Sequence, residues 1–251
     1  MDCREYTIDA TQGVNIIPLR LVCCFNDAYL TYHNAKASIF TKAFQELVSR
    51  FNLYNTIHRI LNKHYGEDVI NFLLKYLELS NREFVKSYRT VLLVDVNVLY
   101  GLCTLIVQLD KHNNNFTLKN VCLRKYEVHI KNIEIEDIDE KFIKDIQELK
   151  KLSTSKQMFI EFNPNDEKQV KIIDALIPNL KFLGITPRQF TGKIKRYLCP
   201  KCESKITFYK NILGFRLFKC LSCEKVYDRD MLVVLNMARH VLRGYKLDIE
   251  F

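Results

Sequence analysis

An α/β fold is what the sequence predicts: a mixed five-stranded sheet with helices, a four-cysteine zinc ribbon inserted before the last helix, and a small, mostly helical N-terminal module. Three observations carry this. The periodicity changes from helical to strand-like near residue 90. Three strand-like runs then follow one another before helices begin to alternate with strands. Two Cys-x-x-Cys pairs stand directly ahead of a final amphipathic segment.

Residues 1–88 form the N-terminal module. Residues 14–25 are rich in β-branched and apolar side chains and predict one or two strands. From residue 35 to about 51, Ile39, Phe40, Phe44, Leu47 and Val48 recur at helical spacing, continued by Ile57, Ile60 and Leu61. After Gly66, Val69, Ile70, Phe72, Leu73 and Leu77 repeat the pattern. The polar stretch 81–89 marks the boundary.

Residues 89–251 form the second domain, with the ribbon inserted at 197–226. Residues 91–98 are apolar apart from Asp95 and Asn97, as in a strand buried on both faces. Gly101 punctuates, residues 102–109 predict a second strand, 111–115 a turn, and 116–123 a third strand. Ile138, Phe142, Ile143, Ile146 and Leu149 mark an amphipathic helix whose first turn is acidic (Asp137, Asp139, Glu140), matching the helix dipole. Residues 158–162 predict a fourth strand. Asn163-Pro164-Asn165-Asp166 caps a helix that runs to residue 177, where Pro178-Asn179 should stop it. Residues 180–185 predict a fifth strand, and 231–242 the last helix. Three meandering strands followed by two βα-type units belong to the ribonuclease H-like architecture.

The 251-residue chain carries a formal charge of +9, which points to an anionic partner. Nearly all of that excess lies in residues 188–219, where nine basic residues face Glu203 alone. Of these, Arg188, Lys193, Lys195, Arg196, Lys205, Lys210 and Arg216 are candidate phosphate contacts. The interleaved Phe190, Tyr197, Phe208, Tyr209, Phe215 and Phe218 suit stacking on bases better than contact with lipid. A solvated loop face accounts for some of the lysines. No apolar run reaches the ~18 residues of a membrane span, and Met1-Asp2-Cys3-Arg4-Glu5 does not read as a secretory signal. An intracellular, reducing setting follows, with zinc-bound and free thiols rather than disulfides among the nine cysteines.

Cys199/Cys202 and Cys220/Cys223 are separated by seventeen residues, the spacing of a structural zinc site. Strand-like residues 205–209 and 214–218 would form a hairpin between the two cysteine knuckles. Four thiolates fill a tetrahedron, so this zinc leaves no position for a reacting water. Disulfide pairing is the alternative.

Asp95 interrupts the most apolar strand of the chain, which is costly unless it meets a cation or a hydrogen-bond donor. Glu161 stands at the end of the fourth strand, and Asp230 at the start of the last helix. In a ribonuclease H-like sheet these three places converge. Carboxylates there can hold two divalent ions, magnesium or manganese, for in-line attack on a phosphodiester. Helix capping by Asp228 or Asp230 and a lysine partner for Glu161 are the plainer readings.

The paired cysteines followed by Tyr227-Asp228-Arg229-Asp230-Met231-Leu232-Val233-Val234-Leu235-Asn236-Met237-Ala238 resemble the end of the TnpB proteins of insertion sequences, relatives of the type V CRISPR nucleases. In that family a zinc ribbon interrupts a RuvC-like nuclease domain just before an Asp-Arg-Asp helix. Val94-Asp95-Val96-Asn97 is similar to the family's first nuclease motif and Ile160-Glu161 to its second. The resemblance implies RNA-guided, metal-dependent DNA cleavage in which Asp95, Glu161 and Asp230 are catalytic, with DNA and a guide RNA as partners. Three features depart from the family: Glu203 and Glu224 stand where it usually has glycine, and Leu232 where it has asparagine. A module of under ninety residues is small for gripping guide and target, so the resemblance leaves guide dependence open, beside a nuclease-inactive binding protein of the same descent.

Overall fold

The computed structural model describes the backbone of residues 3–12, 15–24, 27–31, 66–97, 101–112, 115–131, 134–192, 198–212 and 215–243, and side chains from residue 66 onward except 129–137 and 212. The helical pattern expected between residues 35 and 61 lies outside the described residues, as do Lys193, Lys195 and Arg196.

An antiparallel meander comes first: β1 (Cys3–Gln12), β2 (Asn15–Cys24) and β3 (Asp27–Thr31). β2 falls on the strand-like run at 14–25. β1 escaped the reading because its apolar Tyr6, Ile8 and Ala10 alternate with polar residues, a weaker signal than an unbroken run.

Helix α1 (Glu67–Asn81) buries Val69, Ile70, Phe72, Leu73, Tyr76 and Leu77. The sequence puts it in the N-terminal module, yet it packs in one core with strands of the central sheet, the ribbon and the last helix. Phe72 and Tyr76 meet the ribbon's Phe215 edge-on at centroid distances of 5.2 and 5.0 Å.

The central sheet is mixed and five-stranded, built from β4 (Ser87–Asn97), β5 (Gly101–His112), β6 (Asn115–Tyr126), β9 (Ser153–Glu161) and β10 (Pro187–Gln189) in the order β10-β9-β4-β5-β6. β4, β5 and β6 pair antiparallel, whereas β9 runs parallel to both β4 and β10. Gly101 opens β5 at φ 85°, and a Cβ there would meet the Tyr126 carbonyl oxygen at 2.1 Å, so only glycine fits. A hairpin the sequence did not announce, β7 (Val128–Lys131) and β8 (Glu134–Ile138), leads into α2 (Glu140–Leu152). Asp137 is therefore in a strand and Asp139 is the N-cap of α2, accepting from the Lys141 amide.

Two expectations fail between residues 178 and 189. Helix α3 (Glu167–Phe182) continues through Pro178 instead of stopping. The carbonyl that proline deprives of a partner belongs to Asp174, and both residues are exposed, so water can satisfy it. The apolar run at 180–185 is then the last helical turn rather than a strand. The Gly184 amide donates to the Lys181 carbonyl and the Ile185 amide to the Leu180 carbonyl, with Gly184 at φ 72°. This is a Schellman closure, and the fifth strand is the shorter β10 beyond it.

The sheet's two faces carry different layers. Leu92, Val94, Val96 and Ile106 face α2 and α3. Val91, Leu93, Cys103, Leu105 and Val107 face α1, the ribbon and the last helix, α4 (Arg229–Val241). Asp95 and Asn97 fall on this second face by strand alternation. Among the described residues, no helix is long and apolar enough to cross a membrane.

Candidate functional site

The ribbon consists of β11 (Ile206–Ile212), β12 (Phe215–Cys220) and β13 (Val226–Asp228), paired antiparallel in that order. The four Sγ atoms of Cys199, Cys202, Cys220 and Cys223 all lie within 4.8 Å of one another. Cys199–Cys223 is 3.6 Å and Cys202–Cys220 is 3.4 Å, close to the ~3.8 Å edge of a tetrahedron with Zn–S bonds of about 2.3 Å. These four thiols can bind a metal such as zinc. Amides of Lys201, Ser222 and Cys223 point at cysteine sulfurs, and the Tyr227 hydroxyl lies 3.5 Å from Cys199 Sγ. Such donors orient ligands and stabilise thiolate charge. At both knuckles the residue directly after the second cysteine turns left-handed: Glu203 at φ 60° and Glu224 at φ 58°. These are the two positions where the resembled family has glycine.

The carboxylates are assembled by strand register. Asp95 pairs with Glu161 across β4 and β9, and with Cys103 across β5, which in turn pairs with Lys125 on β6. Glu161, Asp95, Cys103 and Lys125 thus form one row across four strands, with their side chains on one face. Over this row sits the start of α4. Asp228 caps the helix by accepting from the Asp230 amide at 3.1 Å, and Asp230 follows in the first turn.

Asp95, Asp228 and Asp230 are almost fully buried, and Glu161 is half-buried. Their counter-charges are internal. Lys125 Nζ lies 2.6 Å from Asp228 Oδ1 and 3.1 Å from Asp230 Oδ2, with its side chain only 4% exposed. Arg229 Nη1 donates to Asp230 Oδ1 at 2.9 Å, Asn97 Nδ2 donates to the same oxygen at 3.0 Å, and Arg216 Nη2 stands 3.5 Å from it. Asp95 is engaged by the Glu161 carboxyl, but its Oδ2 accepts no hydrogen bond; Arg229 Nη1 remains 3.6 Å away. Cys103 stands in the row between Asp95 and Lys125, and burial pushes its thiol well above the usual range, leaving it inert.

Burial, reinforced by the Asp230 charge, raises Asp95 well above an ordinary carboxylic acid. Burial pulls Asp230 the same way, but Lys125 and Arg229 outweigh it and hold Asp230 at about 2. Burial also raises Asp228, against the pull of Lys125. For Lys125, burial favours the neutral amine, and the two aspartates overcome it to keep the charge.

The structure therefore brings Asp95, Glu161 and Asp230 to one place, with Asp228 as the helix cap the sequence allowed, and adds residues it did not assign to the site: Lys125, Arg229 and Asn97. Of these only Asn97 carried a signal, as a second polar interruption of the apolar strand. Among the described residues, the four cysteines are the only set of three or more such ligands with mutual distances within 4.8 Å. Of the basic candidates, Arg188 and Lys205 are exposed, Lys210 lies over the Tyr209 ring at 4.3 Å, and Arg216 is turned towards Asp230. Phe208 is exposed, whereas Phe215 is core. No family model matches the chain, and neither does any curated protein or solved structure.

Proposed function

We propose that the chain is a divalent-metal-dependent nuclease of ribonuclease H-like, RuvC-like architecture, related to the TnpB proteins. One observation carries the reading: three acids distant in sequence meet where adjacent parallel strands end beneath the first turn of the last helix. The strand order β10-β9-β4-β5-β6 supports the architecture. The ribbon running through β13 into Asp228-Arg229-Asp230 supports the kinship.

The buried Asp95 oxygen without a hydrogen-bond donor fits a cation, and the cluster of Asp95, Glu161 and Asp230 would supply its ligands. A magnesium or manganese ion there would supply Lewis-acid stabilisation of a phosphodiester and a reactive water. The chain's own residues do the rest. β4 and β9 fix two carboxylates in register, and α4 presents the third. The exposed Arg188 and Lys205 offer charge to backbone phosphates, with Phe208 as a stacking surface. The cysteine site holds its metal for structure.

Filling of the acid cluster by Lys125, Arg229 and Arg216 favours a second reading, a nucleic-acid-binding regulator or transposition accessory that no longer cleaves. Incubating the zinc-loaded chain with manganese and single-stranded, duplex or branched DNA separates the two. Cleavage that Asp230→Ala abolishes while binding persists supports the nuclease; binding without cleavage of any substrate supports the regulator. Sequencing RNA that copurifies tests guide dependence, and a defined species is expected if a guide is used.

A further inference from the structure

We infer that this site takes one divalent ion, on Asp95 and Glu161, and that Lys125 is a permanent internal cation standing where a second ion would otherwise be held; the inference rests on the metal-dependent reading above.

The oxygens are unequally committed. Asp228 Oδ1 receives Lys125 Nζ and the Asp230 amide, and its Oδ2 receives the Arg216 amide at 3.0 Å, so this carboxylate is fully used. Asp230 Oδ2 receives Lys125. Asp230 Oδ1 is shared by Arg229 and Asn97. Asp95 Oδ2, by contrast, is buried and accepts no hydrogen bond, with only the partly exposed Arg229 Nη1 paired to it at 3.6 Å, and the in-register Glu161 lies beside it. The oxygen left without a hydrogen bond is therefore on the β4/β9 side, and the β6/α4 side is already neutralised.

The three cations differ in whether they can leave. The Arg229 and Arg216 side chains are 29% and 30% exposed and have water to swing into. Lys125 is 4% exposed and is anchored from β6 beneath the Phe215 ring, 5.3 Å from its centroid. Moving it would strip two buried carboxylates of their partner. A divalent ion placed on Asp230 would stand a few ångströms from this fixed charge, where repulsion between like charges in a poorly screened interior is strong. An ion on Asp95 and Glu161 is separated from Lys125 by the whole width of β5 in the cross-strand row. Lys125 is thus a positioning residue: it holds Asp228 and Asp230 in place with or without the ion.

Manganese titration of the zinc-loaded full chain, with unbound ion followed by electron paramagnetic resonance, tests this without any cleavage assay. One tightly bound ion per wild-type chain is expected, lost in Asp95→Asn and retained in Asp228→Asn. Lys125→Met, folded or refolded by the metal, is expected to take two. Two tight ions in the wild type would overturn the inference while leaving the metal-dependent reading intact. No bound ion would remove that reading itself. Retention in Asp95→Asn with loss in Asp228→Asn would put the ion on the wrong side and also overturn the inference. Should Lys125→Met fail to fold even with manganese, the wild-type count and the two aspartate variants still decide.

Discussion

Two clusters of four acidic groups stand at the two ends of β13, and they solve the same electrostatic problem in opposite ways. The cysteine cluster draws its four sulfurs within 4.8 Å of one another, a geometry that can hold a metal. The aspartate cluster carries Lys125, Arg229 and Arg216 as its own counter-charges. The first is therefore expected to depend on a metal to fold, and the second to be folded before any ion arrives. Ammonium and guanidinium groups readily satisfy carboxylates, but they do not replace the four bonds that zinc makes to thiolates. On the proposed function, folding and chemistry fall to different sites.

Removing the cysteine site's metal should give the largest effect. Cys220→Ser, or a strong chelator, is expected to lower the stability of the C-terminal half by several kcal/mol, the scale of structural zinc sites, as read by thermal unfolding with zinc analysis. A variant with undiminished melting temperature would erase the contrast between the clusters. A smaller effect should separate the two aspartates. Asp95 has a raised folded pKa, so the wild type loses stability as pH climbs from the unfolded value, about 3.9, towards the folded one. Asparagine has no such loss. Asp95→Asn should therefore stabilise the metal-free protein, by more at pH 8 than at pH 5. Asp230, held at about 2, behaves oppositely: its contribution is present above about 4 and disappears as pH falls through 2. Equilibrium denaturation across pH checks both signs. The smallest effect belongs to the knuckles. Glu224→Gly relieves a left-handed backbone, partly offset by glycine's entropy in the unfolded chain, for a gain of roughly 0.5 kcal/mol. An unchanged or lower melting temperature would mean that no strain is stored there.

What could be read from the residues followed how local each signal was. Two Cys-x-x-Cys pairs specify their cluster almost without tertiary information. Asp95 was conspicuous because burying an acid in an apolar strand is costly, and the structure does bury it. Lys125 gave no warning: in Leu123-Arg124-Lys125-Tyr126 it looks like any strand lysine near a sheet's end, and only register with Cys103 and Asp95 turns it inward. The meander β4–β6 and the last helix were legible from apolar runs and their punctuation. The region from residue 178 to 189 was not, because proline and apolar residues are ambiguous until it is known which helix face meets water. Gly184 was the available clue, as a helix-ending glycine.

One feature of the ribbon reaches beyond its own metal. Its last strand passes into the helix cap with no intervening loop, Asp228 being both the final residue of β13 and the N-cap of α4. Three residues of paired strand, with one short turn before them, are all that separates the last sulfur from the first carboxylate of the cap. The two centres behave like opposite ends of a short stiff rod, so oxidation or stripping of the thiols would be felt by the aspartates as a loss of alignment rather than as a change in charge.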